Sequence, residues 1–270
     1  MRVLPALALS AAVLAGCGAP APEVSRSYGA AASLSAVSLP ATPPRFDDHK
    51  PHDWIGRSPW NYSVHGIDVS KWQGDIDWAT VRASGVSFAF IKATEGDDHS
   101  DEAFARNWRA AAAAGMPRGA YHFYYFCSTP ADQAAWFIRN VPRERGALPP
   151  VLDVEWNSHS RTCRRFPAPE IVRAEMRAFL NIVERHYGQR PIIYVTPDFY
   201  RDNDLAQMRG ATFWLRSVAG HPSEVYPGSD WHFWQYTGTG SVPGVAGRTD
   251  INAFAGSPAQ WRSWVASHTL

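Results

Sequence analysis

The feature that most constrains the fold is an alternation of short apolar runs with helical patterns, which begins at Val64. Such an alternation predicts buried strands joined by crossover helices, and hence a parallel sheet. We predict strands over residues 64–69, 87–92, 118–125, 150–155, 191–196, 213–218, 232–236 and 249–254. We predict helices over residues 76–83, 102–114, 130–140 and 169–187. Eight strands with fewer than eight helices indicate an incomplete α/β barrel, with no internal repeat and no second domain.

The first sixteen residues have the pattern of a secretory leader, with Arg2 followed by an apolar run. This run is too short to span a membrane. It ends in Leu14-Ala15-Gly16-Cys17, which resembles the bacterial lipobox, where the leader is cut before a cysteine that carries lipid. We expect residues 1–16 to be a lipoprotein signal peptide and Cys17 to be lipidated. The alternative is an ordinary leader cut a few residues later, with Cys17 discarded.

Residues 17–60 are rich in Ala, Pro and Ser and contain no Trp before Trp54. This composition predicts a tether between the membrane and a catalytic domain over residues 61–270. The stretch from Phe46 to Trp60 could instead pack on the domain. Gly18 after the cysteine is not a retention signal of the Asp type, which favours the outer membrane if the host has two membranes. We therefore expect an exported protein of the cell envelope that touches the membrane only through its lipid.

The charge balance argues against nucleic acid as a partner. Lys and Arg number 26 and Asp and Glu number 25, which leaves a net charge of +1 and no broad basic surface. In contrast, 12 Trp, 10 Tyr and 13 Phe exceed what a core of this size needs. Aromatic faces suit the apolar faces of sugar rings, although core packing accounts for about half of them.

Acidic residues recur where the predicted strands end. Asp68 ends the first strand, Glu95 follows the second, Asp153 and Glu155 end the fourth, and Asp250 opens the last. An acidic residue at one strand end is often only a helix cap. Five at the C-terminal face of an α/β sheet predict a site, because this face carries the chemistry in such folds.

Asp153 and Glu155 form the most informative pair. Residues two apart in a strand share a face, so both carboxyl groups point the same way, with Cα atoms about 6.5 to 7 Å apart. Each disfavours ionisation of the other, which lets one stay protonated near neutral pH. Cleavage of a glycosidic bond needs this combination of an acid and a carboxylate. Asp-x-Glu alone is a weak motif.

A longer series of motifs resembles family 25 of the glycoside hydrolases, the muramidases called Chalaropsis-type lysozymes. The likeness covers about residues 64–256 and rests on Gly66-Ile67-Asp68-Val69-Ser70-Lys71-Trp72-Gln73-Gly74, Asp77-Trp78, Phe90-Ile91-Lys92-Ala93-Thr94-Glu95-Gly96, Gly119-Ala120-Tyr121-His122-Phe123, Leu152-Asp153-Val154-Glu155, Pro191-Ile192-Ile193-Tyr194, Trp234-Gln235-Tyr236 and Asp250-Ile251-Asn252-Ala253-Phe254. The resemblance implies an irregular TIM-like α/β barrel of five strand-helix units followed by three strands. It also implies lysozyme activity on peptidoglycan glycan strands.

The resemblance also implies roles for individual residues. Glu155 would be the proton donor and Asp153 its partner at the anomeric side, either as nucleophile or by orienting the acetamido group of the substrate. Asp68 and Asp250 would complete the acidic cluster. The residues expected to contact the sugar are Tyr121, Tyr194, Trp234 and Gln235, with Trp72, Tyr124 and Trp214 as weaker candidates. No cofactor or metal is implied, and we expect a monomer.

Two stretches depart from the family pattern, and both fall in the substrate region. Arg216 stands in the sixth strand, in Trp214-Leu215-Arg216-Ser217-Val218-Ala219, where the family usually has Trp, an aliphatic residue, Ala and often Tyr. Residues 158–165 form a basic stretch after the catalytic strand, either a contact for anionic wall groups or a solvated loop.

Three other classes of protein fit the sequence less well. A family 18 chitinase needs acidic residues two and five positions before Asp153, where the chain has Val151 and Leu148. A zinc amidase needs clustered His ligands, and the ten His residues lack that spacing. A barrel that only binds cell wall would be expected to lose acidic residues from the cluster, and all four are present.

The remaining cysteines predict a disulfide. Cys127 and Cys163 are the only cysteines after the leader and Cys17, in a chain bound for an oxidising compartment. Both follow strands that are expected to be neighbours in the sheet. The alternative is two free buried thiols.

Overall fold

A computed structural model describes Met1 and residues 43–269. The chain separates into two units, residues 1–37 and 38–270, and all elements below belong to the second. Cys17, the rest of the leader after Met1, and residues 18–42 of the predicted tether lie outside the described residues. Within the described part of the chain, no helix is both long and apolar enough to cross a bilayer.

A closed barrel of eight strands forms the centre of the fold. The strands of the sheet are β1 (Asp47–Asp48), β2 (His65–Val69), β3 (Val86–Glu95), β4 (His99–Ser100), β5 (Arg118–Phe123), β6 (Val151–Val154), β7 (Ile192–Val195), β8 (Thr212–Arg216), β9 (Phe233–Ser241) and β10 (Thr249–Phe254). The barrel order is β2-β3-β5-β6-β7-β8-β9-β10, and β1 and β4 are short additions to its edges. All barrel neighbours pair in parallel except β10, which closes the barrel by antiparallel pairing with β9 and β2. The predicted α/β barrel is confirmed.

Helices follow the parallel strands. They are α1 (Trp78–Ala83), α2 (Phe104–Ala113), α3 (Pro130–Asn140), α4 (Pro169–Tyr187), α5 (Pro197–Asp202), α6 (Pro222–Val225) and α7 (Pro258–His268). The sequence predicted the first four and missed the last three. Two of these are short, and α7 had a readable start, because Ser257 and Gln260 form a capping box around Pro258.

Aromatic rings fill the interior of the barrel. Phe90 packs on Trp214 with ring centroids 4.6 Å apart, and Phe88 packs on Trp261 of α7 at 5.1 Å. Gly66 makes room for the first layer, because a Cβ at this position would collide with the ring of Phe88. The N-terminal end of the barrel is therefore plugged, and a cavity inside the barrel must lie at the other end.

The segment before the barrel packs on its outer surface. In β1, Asp47 pairs with Ser241 of β9. The ring of Trp54 lies 5.1 Å from that of Trp234, and Trp60 stacks on His65 at 6.1 Å. Residues 43–60 thus belong to the folded unit, which corrects the predicted domain start at residue 61 and agrees with the alternative in which Phe46 to Trp60 pack on the domain.

A disulfide joins Cys127 to Cys163, with Cα atoms 5.9 Å apart. Cys127 follows β5 and Cys163 lies in the loop after β6. The bond therefore ties the basic stretch of residues 158–165 to the neighbouring strand end. In this loop Arg164 donates to the carbonyl of Ser160 at 2.6 Å, and Arg165 donates to that of Phe126 at 3.2 Å.

Candidate active site

One cavity of about 240 Å³ at the C-terminal end of the parallel strands contains the four acidic residues of the predicted cluster. Asp68 lies in β2, Asp153 lies in β6, and Glu155 directly follows β6. Asp250 belongs to the antiparallel strand, whose N-terminal end lies at this face, and it pairs in register with Asp68. Strand alternation brings Asp153 and Glu155 to the same cavity, as the sequence indicated.

The fifth acidic residue, Glu95, is used elsewhere. Its Oε2 accepts a hydrogen bond from Lys92 Nζ at 2.6 Å, and its Oε1 accepts one from the hydroxyl of Tyr125 at 2.6 Å. Lys92 itself reaches the wall of the catalytic cavity. Glu95 therefore holds Lys92 beside the acidic cluster and does not line the cavity itself.

Burial raises the pKa of all four carboxyl groups in the cavity. The pKa of Asp68 rises to about 6, although hydrogen bonds from two amides work against this shift. Burial and then the charge of Asp68 raise the pKa of Asp250 to about 8. The pKa of Asp153 lies well above its usual range because of burial and the neighbouring charge of Glu155. The cavity therefore holds several carboxyl groups that can be protonated near neutral pH.

Arg216, at the end of β8, is the main counter-charge to this cluster. Its guanidinium lowers the pKa of Glu155 against the larger effect of burial, which raises it. It also lowers the pKa of Asp68 and of Asp250. The departure from the family pattern noted in the sequence thus bears directly on the acidic cluster.

Two buried amides hold Asp68 in place. Gln235 Nε2 and Asn252 Nδ2 both donate to Asp68 Oδ2, at 3.0 and 2.9 Å. Each amide is oriented in turn by an aromatic donor. The hydroxyl of Tyr194 donates to Gln235 Oε1 at 2.9 Å, and Trp214 Nε1 donates to Asn252 Oδ1 at 2.7 Å.

The structure brings five of the seven predicted sugar-contacting residues to the cavity. These are Trp72, Tyr121, Tyr194, Trp214 and Gln235. Trp72 is 81% exposed and stands at the rim, whereas Trp214 is 2% exposed and forms the floor. The walls thus combine aromatic surface with carboxylates.

Trp234 and Tyr124 do not reach this cavity, which corrects their assignment as sugar contacts. Trp234 is fully buried on the outer side of the barrel, where its Nε1 donates to the carbonyl of Ser217 at 2.7 Å. Tyr124 is buried among the helices, and its hydroxyl donates to Glu175 at 3.2 Å. Trp234 precedes the inward-facing Gln235, and Tyr124 lies an odd number of positions after Tyr121, so both face outward.

Sequence reasoning assigned no role to Asn252 and Lys92. Asn252 lies two positions after Asp250, and Lys92 lies two positions after Phe90, which faces the barrel interior. The alternation of faces along a strand was therefore a signal that could have placed both side chains inside the barrel.

Comparisons with known proteins agree with this architecture. The family model for glycosyl hydrolases family 25 matches residues 67–245. Lysozyme M1 of Streptomyces globisporus is 37% identical over 211 residues, which cover 73% of this chain and 69% of the relative. The uncharacterized protein YegX of Escherichia coli strain K12 is 36% identical over 217 residues, which cover 77% of this chain and 76% of that protein. The solved structure of a family 25 glycosyl hydrolase from Bacillus anthracis matches with a TM-score of 0.70 and 36% identity, covering 80% of this chain and 98% of that one. From the match of fold, motifs and family model, this chain belongs to glycosyl hydrolases family 25.

Proposed function

We propose that this protein is a muramidase that hydrolyses the β-1,4 bond between N-acetylmuramic acid and N-acetylglucosamine in peptidoglycan. The observation that carries the proposal is the single aromatic-walled cavity in which burial raises the pKa of Asp68, Asp153, Glu155 and Asp250. Such a cavity supplies the acid for glycosidic cleavage, and the charge of Lys92, which lowers the pKa of Asp153 against the effect of burial, favours the charged partner. Membership of a glycosyl hydrolase family and similarity to a protein named lysozyme support the same activity.

In this mechanism Glu155 is the general acid. Burial raises its pKa and so favours the protonated carboxyl group, which donates its proton to the glycosidic oxygen as the bond to the anomeric carbon breaks. The anomeric carbon is then bonded to the Asp153 carboxylate or to the acetamido oxygen of the sugar, and a water molecule breaks that bond by attacking the carbon and returns a proton to Glu155. Cleavage therefore consumes one water molecule and leaves Glu155 protonated as at the start.

Asp153 is the partner of Glu155 at the anomeric carbon. Among the described residues, its buried Oδ1 has no hydrogen-bond partner, so it is available to the substrate. A carboxylate there either attacks the carbon directly or orients the acetamido group of the sugar for attack. Asp68, held by its two amides, and Asp250 set the electrostatic field around this pair.

The test is hydrolysis of purified peptidoglycan by the Glu155→Gln variant. The amide keeps the shape of the side chain but cannot donate the proton, so turnover should fall about 10² to 10⁴ fold while glycan binding remains. Mass spectrometry of the fragments from the unaltered protein should show reducing N-acetylmuramic acid ends. Near-normal turnover by the folded variant would remove Glu155 from the role of acid.

We also propose that the protein acts in the cell envelope, anchored by lipid on Cys17. The lipobox-like motif and the composition of the residues that follow it support this placement. Stable anchoring needs more than one acyl chain, so the mature protein should fractionate with membranes. Cys17→Ser should move it to the soluble or unprocessed fraction. A fully soluble unaltered protein that lacks Cys17 would contradict the anchor.

A further inference from the structure

A second and larger cavity, of about 400 Å³, lies between the segment before the barrel and strands β9 and β10. Its volume is in the range typical of small-molecule sites, about 300 to 1,000 Å³. Residues 46–60 provide roughly half of its lining, and they precede the part of the chain that matches the family model, residues 67–245. The cavity thus depends on residues outside the stretch that the family model matches.

The second cavity adjoins the catalytic one. Gln235 lines the catalytic cavity, whereas the next residues of β9, from Tyr236 to Thr239, line the second. In β10 Asp250 lines the first and Ile251 the second. Between them stands Gly238, where a Cβ atom would lie only 3.1 Å from Asp250 Oδ1. Because Gly238 has no side chain, the second cavity reaches the edge of the acidic cluster at this position.

The lining combines aromatic surface with hydrogen-bonding groups. Trp54 and Trp60 are both partly exposed. Trp60 already has stacked neighbours, since it stacks on His65 and the Arg45 guanidinium lies 5.6 Å above its ring. The contacts of Trp54 with His52 at 4.7 Å and with Trp234 at 5.1 Å have nearly perpendicular ring planes, so neither ring is stacked on it. Trp54 is therefore the ring best placed to receive the apolar face of a ligand.

The charges in this lining balance. Asp47 and Asp48 supply two negative charges, and Lys50 and Arg216 supply two positive ones. A balanced lining gives an anionic polymer no net attraction. It still offers donors and acceptors to hydroxyl and amide groups. An aromatic platform with such polar neighbours suits an uncharged sugar ring.

We propose that the second cavity binds an N-acetylhexosamine ring, uncharged at its own substituents, of the same glycan strand that is cut in the catalytic cavity. This inference rests on the proposed function. The subsite would add binding energy for long strands while leaving the chemistry at Glu155 and Asp153 unchanged. A remote contact of equal strength in the ground state and the transition state lowers KM without raising kcat. The segment of residues 46–60 thereby becomes part of the substrate cleft.

The experiment compares two substrates of the full-length protein: long glycan strands freed of their peptides, and a tetrasaccharide of the same repeat. Trp54→Ala should raise the KM for long strands roughly 3- to 10-fold, since one aromatic contact contributes on that order. Its kcat/KM for the tetrasaccharide should stay within about twofold of the unaltered value. Trp136→Ala, at an equally half-buried tryptophan on α3, is the matched control and should leave both substrates unaffected.

A second variant guards against misfolding of Trp54→Ala. Lys50 and His52 are exposed, so the double change Lys50→Ala/His52→Ala should leave the fold intact while removing two polar groups from the cavity. It should show the same selective loss on long strands. If both variants match the Trp136→Ala control on long strands, the subsite is absent.

Two further outcomes separate this inference from the proposed function. If the unaltered protein cleaves neither substrate, the muramidase proposal itself fails. If it cleaves both, and the variants lose activity only on strands that still carry peptides, the cavity receives peptide and the sugar assignment is overturned.

Discussion

The acidic cluster should make the fold less stable at neutral pH, and Asp250→Asn should reveal this. Burial and the charge of Asp68 raise the pKa of Asp250 from 3.8 to about 8 in the folded protein. Between these two values the unfolded chain ionises Asp250 while the folded protein keeps it protonated. Rising pH therefore favours the unfolded state by about 1.4 kcal/mol per pH unit over this interval. By pH 7 the accumulated effect is about 4 kcal/mol.

Asparagine has the shape of the protonated carboxyl group and cannot ionise in either state. Asp250→Asn should therefore stabilise the protein by roughly 2 to 4 kcal/mol at pH 7, which for a domain of this size corresponds to a Tm increase of about 5 to 15 °C. At pH 4 the gain should shrink to about 0.5 kcal/mol, because this pH lies only just above the unfolded pKa of 3.8 and little of the effect has accumulated. Activity should fall, since the variant changes the field around Glu155 and Asp153.

The assay is thermal and urea unfolding of the variant and the unaltered protein at pH 4, 5.5 and 7. Asp97→Asn is the matched control, because it removes the same charge from an exposed turn and should change stability by less than about 0.5 kcal/mol. An increase in Tm that is equal at pH 4 and pH 7 would refute the linkage to protonation. A loss of stability at pH 7 would refute the assignment of a raised pKa to Asp250.

Two further predictions concern the surroundings of the cluster. Replacing Cys127 and Cys163 together by Ser should lower the free energy of unfolding by about 3 to 4 kcal/mol, because the disulfide closes a loop with a sequence separation of 36 residues. Urea unfolding with and without reductant measures this loss. Arg216→Gln removes the cation that lowers the pKa of Glu155, so the alkaline limb of the pH–kcat profile should move to higher pH, and a limb that stays in place or moves down would contradict this role.

The barrel and its acidic cluster could be predicted because both follow from short-range patterns. Apolar runs bounded by turns located all eight barrel strands to within a few residues at most ends, and the two-residue period placed Asp153 and Glu155 on one face. The main wrong predictions also trace to the two-residue alternation of side chains along a strand. Residue type and motif predict Trp234 and Tyr124 as sugar contacts. Their positions along the chain turn both side chains to the outer side of the barrel, where the helices and the preceding segment bury them.

The segment of residues 43–60 could not be predicted with the same tools. It has almost no regular secondary structure, and its attachment depends on single long-range contacts such as Trp54 on Trp234 and β1 on β9. Contacts of this kind leave no periodic pattern in the sequence. The spacing of Asp153 and Glu155 predicted that the charge of Glu155 raises the pKa of Asp153, but the shifts of Asp68 and Asp250 depend on burial and on Arg216, which leave no such pattern in the sequence.

The family motif and the structure predict different roles for Gln235. The motif placed it among the sugar contacts, whereas in the structure both ends of its amide are occupied, by Tyr194 and by Asp68. Gln235→Leu keeps a similar volume but removes a hydrogen bond that favours the ionised form of Asp68, so the pKa of Asp68 should rise further. A hydrogen bond to a charged group contributes about 1.5 to 3 kcal/mol, so kcat should fall roughly 10- to 150-fold while KM changes little. Asn252→Leu removes the other donor to the same oxygen and should give the same pattern. A rise in KM at unchanged kcat in Gln235→Leu would instead mean that this side chain binds the sugar, and that its hydrogen bond to Asp68 contributes little to the reaction.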